Sequence, residues 1–507
     1  MLEGMTKTSL VSAITVVIAL AGCANSGARS AADTPGSTGA SASATGNATA
    51  EGGAVKWSPC TGLTGPDGKP AAPDPALQCG KLAVPLDYAK KNGEKIDLAL
   101  IRVKATGRRQ GSLVFNFGGP GGSGVDTLAL AAKAFAGLNS GYDLVSFDPR
   151  GVDRSAPVKC GDLDEWLSMG LVGPDVAKLT KRLAAACAKN SGKLLPHVGT
   201  MNAARDLDRI RVALGDPKLN YFGLSYGTQL GAVYATQYPK NVGRFVLDGA
   251  LDPTVSFADR AKIQVAGFKQ AFDSFSADCV KQGCDLGASP AAVTKSLEKL
   301  ADRLEDKPLK VGDRKLTKDL AITGAMATLY AKQTWPVLEQ ATAAAIKGDG
   351  TQLLAMADSY NGRKPDGTYS TMMASFLAIT CLDNAERPSA AEIRKVERQT
   401  AKIFPLMASG GAGSLCAHWP VKGSDAAKKI DATGSAPILV VGGKGDPATP
   451  YQWAPKLAAQ LKTGVLVTYE GEGHGAYLSG STCVTRLVDA YFLSGENPGT
   501  NATCPAA

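Results

Sequence analysis

The sequence predicts an α/β fold: a mostly parallel central sheet, interrupted late in the chain by a large helical insertion. Two observations carry this expectation. Short runs of β-branched and aliphatic residues recur at 97–105, 112–117, 142–147, 220–224 and 244–248, with helical stretches between them, then return at 437–441 and 465–469. Between about 255 and 430 that strand pattern is lost. The stretches 262–276, 291–304, 316–330, 336–346, 352–360, 369–377 and 390–403 instead space their apolar residues as helices do.

Taken in order, the chain begins with Lys7 and an apolar stretch from Leu10 to Ala21, ending in Leu20-Ala-Gly-Cys23. A short basic region, an apolar core of this length and small residues at its end describe a secretory signal peptide over residues 1–22. The stretch is too short to span a bilayer, which takes ~20 apolar residues. Leu-Ala-Gly-Cys23 resembles a bacterial lipobox, so Cys23 is the expected lipidation site and the expected attachment to a membrane. Residues 23–56 are mostly Ala, Ser, Gly and Thr. Such a segment buries too little apolar surface to offset its ordering entropy, and reads as a tether. The folded part is expected from 57, as a first core part (57–255), a helical cap (256–430) and a last core part (431–507). The helix expected at 202–214 carries arginines and aspartates that read as a solvated face.

The run 219–222 leads into Gly223-Leu-Ser225-Tyr-Gly227, and a helix is expected from 228 to 238, ended by Pro239. G-x-S-x-G between a strand and a helix is the nucleophile elbow of the α/β-hydrolase fold. Glycine at both flanks lets the backbones pass closely and lifts the serine hydroxyl out of the sheet. A serine hydroxyl is a poor nucleophile until an imidazole takes its proton and a carboxylate holds the imidazole tautomer. Asp446 and His474 occupy loops after the strands at 437–441 and 465–469, in the chain order this fold requires. Of the three histidines, His197 and His418 do not follow strands. Ser225, Asp446 and His474 are therefore the expected catalytic residues, and Thr449 is placed to hydrogen-bond the acid.

Acyl transfer also needs amide N–H groups aimed at the developing oxyanion. Tyr226 follows the nucleophile and supplies one. The loop Gly118-Gly-Pro-Gly-Gly-Ser-Gly124 after the strand at 112–117 supplies the other, with Gly119 preferred and Gly118 its neighbour. No Lys-Ser/Thr follows these glycines, which excludes a P-loop. No metal or cofactor is expected.

Net charge is +9 without a basic cluster longer than Arg108-Arg109, so nothing marks a nucleic-acid partner. Eleven cysteines less Cys23 leave an even number, which in an exported protein reads as disulfides. Neighbour pairing gives 60–79, 160–187, 279–284, 381–416 and 483–504, though sequence does not fix connectivity.

The glycine loop, Ser146-Phe-Asp-Pro-Arg-Gly-Val-Asp-Arg-Ser155, Gly223-Leu-Ser-Tyr-Gly-Thr228 and the late Gly-Asp446-Pro and Gly-His474-Gly together resemble secreted tripeptidyl aminopeptidases of actinobacteria. These are relatives of proline iminopeptidases with a characteristic C-terminal segment. The resemblance runs from about 57 to 504. It implies an extracytoplasmic serine exopeptidase acting on free peptide N-termini, with a carboxylesterase or lipase using the same triad as the alternative. Two departures stand out: Phe117-Gly118 replaces the His-Gly of many hydrolases, and Val152-Asp153 replaces a frequent x-Gly. An aminopeptidase must hold a protonated N-terminus, for which a cap carboxylate is suited. The family carries an acid after a cap cysteine, and Cys381-Leu-Asp383 matches it; Glu339 is a second candidate.

Overall fold

The computed structural model describes residues 53–65, 69–90, 92–161, 163, 167, 176–408, 412–499 and 501–507. The expected signal peptide, Cys23 and most of the tether lie outside them.

The strands in chain order are β1 (Ser58–Pro59), β2 (Leu77–Pro85), β3 (Lys95–Val103), β4 (Gly111–Asn116), β5 (Tyr142–Phe147), β6 (Leu219–Leu224), β7 (Val242–Asp248), β8 (Leu309–Val311), β9 (Arg314–Leu316), β10 (Ile438–Gly445), β11 (Gly464–Glu472) and β12 (Ala502–Cys504). All but β8 and β9 form one sheet in the order β1-β2-β3-β5-β4-β6-β7-β10-β11-β12. Pairing is antiparallel from β1 to β5 and parallel from β5 onward. The parallel strands are buried on both faces, which is why they read as continuous apolar runs. Alternation sends Val114, Val145, Tyr221, Phe245, Leu247 and Val440 to one face. Leu113, Phe115, Leu144, Phe222, Val246 and Val441 go to the other.

Between β7 and β10 lie the cap helices Phe257–Gln282, Pro290–Asp306, Lys318–Leu329, Trp335–Ile346, Thr351–Asn361, Met372–Leu382 and Ala390–Ile403. Most of them share an apolar core of their own around Phe268, Phe272, Phe275 and Trp335. The cap is fastened to the sheet domain at several points. Gly267, in the middle of the first cap helix, packs against the Pro447 carbonyl, and Gln264 donates to the Ala448 carbonyl at 2.9 Å. The backbone of helix Met372–Leu382 lies against Gly121 of the glycine loop.

The stretch Ser146–Ser155 is a structural lock. Arg150 is fully buried and its five N–H donors all find acceptors: both oxygens of Asp206, at 2.6 and 2.7 Å, and the carbonyls of Pro85, Leu86 and His197. Asp206 lies on the helix Thr200–Ala213, so the expectation of a solvated charged face there is corrected at this position. A buried guanidinium needs its carboxylate, and the carboxylate would not ionise inside without it. Asp148 is likewise buried. It accepts from the Ser123 hydroxyl and from the Val125 and Arg154 amides, tying the glycine loop and the helix after it to β5.

The disulfides join neighbours in sequence: Cys60–Cys79, Cys160–Cys187, Cys279–Cys284, Cys381–Cys416 and Cys483–Cys504. Among the described residues no helix is long and apolar enough to cross a membrane.

Candidate active site

Ser225 sits between β6 and the helix Tyr226–Gln237 with φ 56° and ψ −120°. A non-glycine residue rarely adopts such a backbone, at a cost of about 1–3 kcal/mol. The flanking glycines show what makes the turn possible. A Cβ on Gly223 would lie 2.4 Å from the Gly227 carbonyl, and one on Gly227 would lie 2.4 Å from the Asn116 carbonyl. Strand, turn and helix therefore interlock only if both positions lack side chains.

The register of the sheet gathers the remaining groups. Leu224 pairs with Asp248, and Asp248 with Val441. Ser225, Gly249 and the loops holding Asp446 and His474 thus emerge together at the C-terminal ends of the parallel strands. The Asp446 carboxylate is fully buried. Its Oδ1 accepts from the Ala448 and Thr449 amides at 2.9 and 2.8 Å, and its Oδ2 from the Thr449 hydroxyl at 2.7 Å. Both oxygens face His474 Nδ1, at 3.0 and 2.9 Å. Nδ1 therefore carries the proton, and Nε2 is left as the basic nitrogen. The Thr449 bond to Asp446 is the one expected of it, and its Oγ1 is also 3.1 Å from Nδ1. Burial lowers the His474 pKa, but the Asp446 charge and hydrogen bond, with the Asp248 charge, outweigh it. The net shift is upward from the ordinary histidine value.

His474 is held from the cap as well. Its amide donates to the Tyr330 carbonyl at 2.7 Å, and its ring meets the Tyr330 ring edge-on at 5.3 Å. Among the described residues no hydrogen bond joins the Ser225 hydroxyl to this ring. The two are linked through Asp248-Gly249. The Ser225 amide donates to the Asp248 carbonyl at 2.9 Å, and a Cβ on Gly249 would lie 3.2 Å from His474 Cε1. The half-buried hydroxyl and the ring thus share one dipeptide as neighbour. Short catalytic hydrogen bonds commonly close only around substrate.

The glycine loop touches the elbow directly. A Cβ on Gly118 would come 2.9 Å from Ser225 Cβ and 3.4 Å from the Tyr226 nitrogen. The Gly118 amide donates to the Asn116 side chain at 3.1 Å, so it is engaged within the loop. That favours Gly119 over Gly118 as the loop donor. Tyr226 is the first residue of its helix, and its amide has no carbonyl within the helix to bond. The two amides, with the N-terminus of that helix behind them, suit a developing anion.

The two proposed recognition acids are placed differently from one another. Asp383 ends the helix Met372–Leu382 and is buried. Its Oδ1 accepts from the Thr200 amide at 2.9 Å and its Oδ2 from the Thr200 hydroxyl at 2.5 Å; that hydroxyl is 2.6 Å from the Tyr226 phenol. The carboxylate joins cap to elbow and is not open to solvent. Burial pushes it up to about 6, against the Thr200 hydrogen bonds and the Arg260 charge. Glu339 is not brought to the site. It accepts from the Asp285 amide at 3.3 Å, beside Cys279. Cys279 lies ~18 Å along the first cap helix from Gly267, the residue that faces the Asp446 loop. The Cys279-Cys284-Glu339 group offers no metal site, because both sulfurs are in a disulfide.

Sequence reasoning missed Asp248, Tyr330 and Thr200. Asp248 carried a weaker signal: like Asp446 it stands at the C-terminal end of an apolar strand, though no glycine precedes it. Tyr330 and Thr200 carried none, since each acts through partners remote in the chain.

A family model described as TAP-like protein matches residues 405–504. Among curated proteins, the chain is 38% identical over 476 residues to serine protease Hip1 of Mycobacterium tuberculosis, covering 89% of this chain and 91% of that protein. It is 38% identical over 448 residues to carboxylesterase B of the same species, covering 84% and 86%. It is 34% identical over 462 residues to tripeptidyl aminopeptidase of Streptomyces lividans, covering 84% and 83%.

Proposed function

The chain belongs to the family of serine hydrolases that contains Hip1 and the actinobacterial tripeptidyl aminopeptidases, and from that membership we propose that it is an extracytoplasmic serine exopeptidase cleaving short peptides from free N-termini. In this reading Ser225 Oγ attacks the scissile carbonyl while His474 Nε2 takes its proton. Asp446 holds the ring and stabilises the imidazolium. The amides of Gly119 and Tyr226 receive the oxyanion. Collapse of the tetrahedral adduct breaks the C–N bond, and His474 returns the proton to the departing amine. Water, deprotonated by the same ring, then releases the acyl group and restores Ser225. The observation that carries this reading is the two-oxygen embrace of His474 Nδ1 by Asp446, at the C-terminal end of the strands where the elbow stands.

Two further observations support the setting. The first cap helix and the helix Met372–Leu382 close over the Asp446 loop and the glycine loop, which favours an entering chain end over a broad lipid surface. Five disulfides suit an oxidising compartment. We place the protein outside the cytoplasm, anchored by lipid on Cys23; Cys23→Ser should then move it from the detergent phase to the aqueous phase on partition.

The second reading is a carboxylesterase, favoured by the equal identity to carboxylesterase B. A mixed peptide library with free and acetylated ends, read by mass spectrometry, separates the two. An exopeptidase releases short N-terminal fragments from free ends and spares the acetylated ones. Indifference to acetylation, or turnover of esters alone, overturns it.

A further inference from the structure

Asp248 belongs to neither the triad nor the oxyanion loop, yet the nucleophile turn and the His474 loop both hydrogen-bond to it. It closes β7, between the strand that delivers the nucleophile and the strand that precedes Asp446. Its side chain is 1% exposed. The carboxylate accepts from two successive amides, Ala476 at 2.9 Å through Oδ1 and Tyr477 at 2.8 Å through Oδ2. These are the second and third residues after His474. Its main-chain carbonyl accepts the Ser225 amide at 2.9 Å. The next residue, Gly249, lies against the His474 ring and the Thr449 hydroxyl. We propose that Asp248 is a positioning residue of the reaction, whose carboxylate holds the His474 loop in register with the nucleophile turn that its own main chain carries.

The chemistry explains why a carboxylate stands here. Two amides pointing at one side chain need two acceptor oxygens, and an ionised Asp offers both. An asparagine would turn its NH2 toward one of them, donor against donor, at a position closed to solvent. The charge also matters. The titratable groups facing His474 are Asp446 from the β10 loop, Asp248 from β7 and the Tyr330 phenol from the cap. Those facing the Asp248 carboxylate are Asp446 and His474. Burial pushes Asp248 up to about 6, held back by the Ala476 and Tyr477 amides. Once ionised, it is a second negative charge behind the imidazole, and it helps to hold the ring's pKa up. Asp248 thus fixes where the base sits and adds to its basicity.

The inference rests on the Ser-His-Asp reading, and its test separates the two. Wild type, Asp248→Asn and Asp248→Glu are assayed as full chains on one short peptide across the acid limb of the pH profile. Folding is followed by thermal unfolding, and Ser225 is titrated with a fluorophosphonate. No labelling of wild-type Ser225 would defeat the triad reading itself. With labelling intact, Asp248→Asn should lower kcat about 100-fold with KM changed no more than about twofold, as for a misplaced catalytic group. Its acid limb should move to lower pH, because a charge that raises the His474 pKa is gone. Asp248→Glu keeps the charge on a longer arm, so kcat should fall while the acid limb stays at the wild-type position. A folded Asp248→Asn enzyme with unchanged kcat, or with lowered kcat and an unmoved acid limb, overturns the proposal. Failure of both variants to fold does so too, since the carboxylate would then serve stability alone.

Discussion

Gly118→Ala tests the contact between glycine loop and elbow. Gly118 has φ 95°, where an L side chain costs about 1–2 kcal/mol. The added methyl would stand 2.7 Å from the Leu224 carbonyl and 2.9 Å from Ser225 Cβ. Carbon atoms settle about 3.5 Å apart, so loop and elbow must separate by about half an ångström. Strain and lost packing together predict a stability loss of about 2–3 kcal/mol. The catalytic loss should be larger, because the same displacement draws the Gly119 amide away from the oxyanion. Losing one such donor lowers kcat by about 10²–10³-fold. Steady-state kinetics on a peptide and an ester, with urea unfolding alongside, measure both effects. Gly122→Ala is the control: its Cβ would meet only the Gly118 carbonyl, at 3.4 Å, so a much smaller loss is expected. A folded Gly118→Ala enzyme with wild-type kcat would refute the placement of the oxyanion loop.

Other consequences are as direct. His474 acts as a base only when neutral, and its pKa is raised. The acid limb of kcat/KM should therefore lie above the ordinary histidine value of about 6.5, and activity should be lost as pH falls through it. Asp446→Asn should lower that limb and reduce kcat by about 10⁴-fold; an unmoved limb would exclude His474 as the titrating group. Arg150→Met leaves the buried Asp206 without its ion-pair partner, so urea unfolding should show a loss of about 3–5 kcal/mol. The double variant with Asp206→Leu should recover much of it, and a loss confined to a few tenths would contradict the lock. Asp383→Asn should lower thermal stability through the Thr200 contact while leaving KM the same for free and amine-methylated peptide ends. A selective rise in KM for the free end would restore Asp383 to substrate recognition.

The three proposed catalytic residues could be singled out in the chain because each stands in a recognisable local context and together they keep the order Ser, Asp, His. An apolar run, then glycine, then a serine, acid or histidine, is a strand ending at a functional loop; β6, β10 and β11 all follow that script. What the sequence hides is pairing at a distance. Asp206 has the neighbours of a surface helix residue, and Arg150 and Tyr88, both remote in the chain, make its burial tolerable. Asp383 was found through a cysteine beside it, but its function in the fold is set by Thr200. β2 also escaped notice. Its stretch Leu77–Pro85 mixes Gly, Lys and Gln with few β-branched residues, and its strand state comes from antiparallel pairing with β3 along its whole length. The first cap helix shows the reverse. Periodicity marked 262–276, while the true ends at 257 and 282 are set by the Ser256 cap and the left-handed Gly283, local signals present in the sequence.

The most direct test of the account is covalent trapping. The intact protein is treated with a fluorophosphonate, digested and mapped by mass spectrometry, with Ser225→Ala and His474→Ala in parallel. The account predicts one phosphonyl adduct on the peptide carrying Ser225, absent from the first variant and formed far more slowly in the second. An adduct on another serine, or peptide turnover that survives Ser225→Ala, would contradict it.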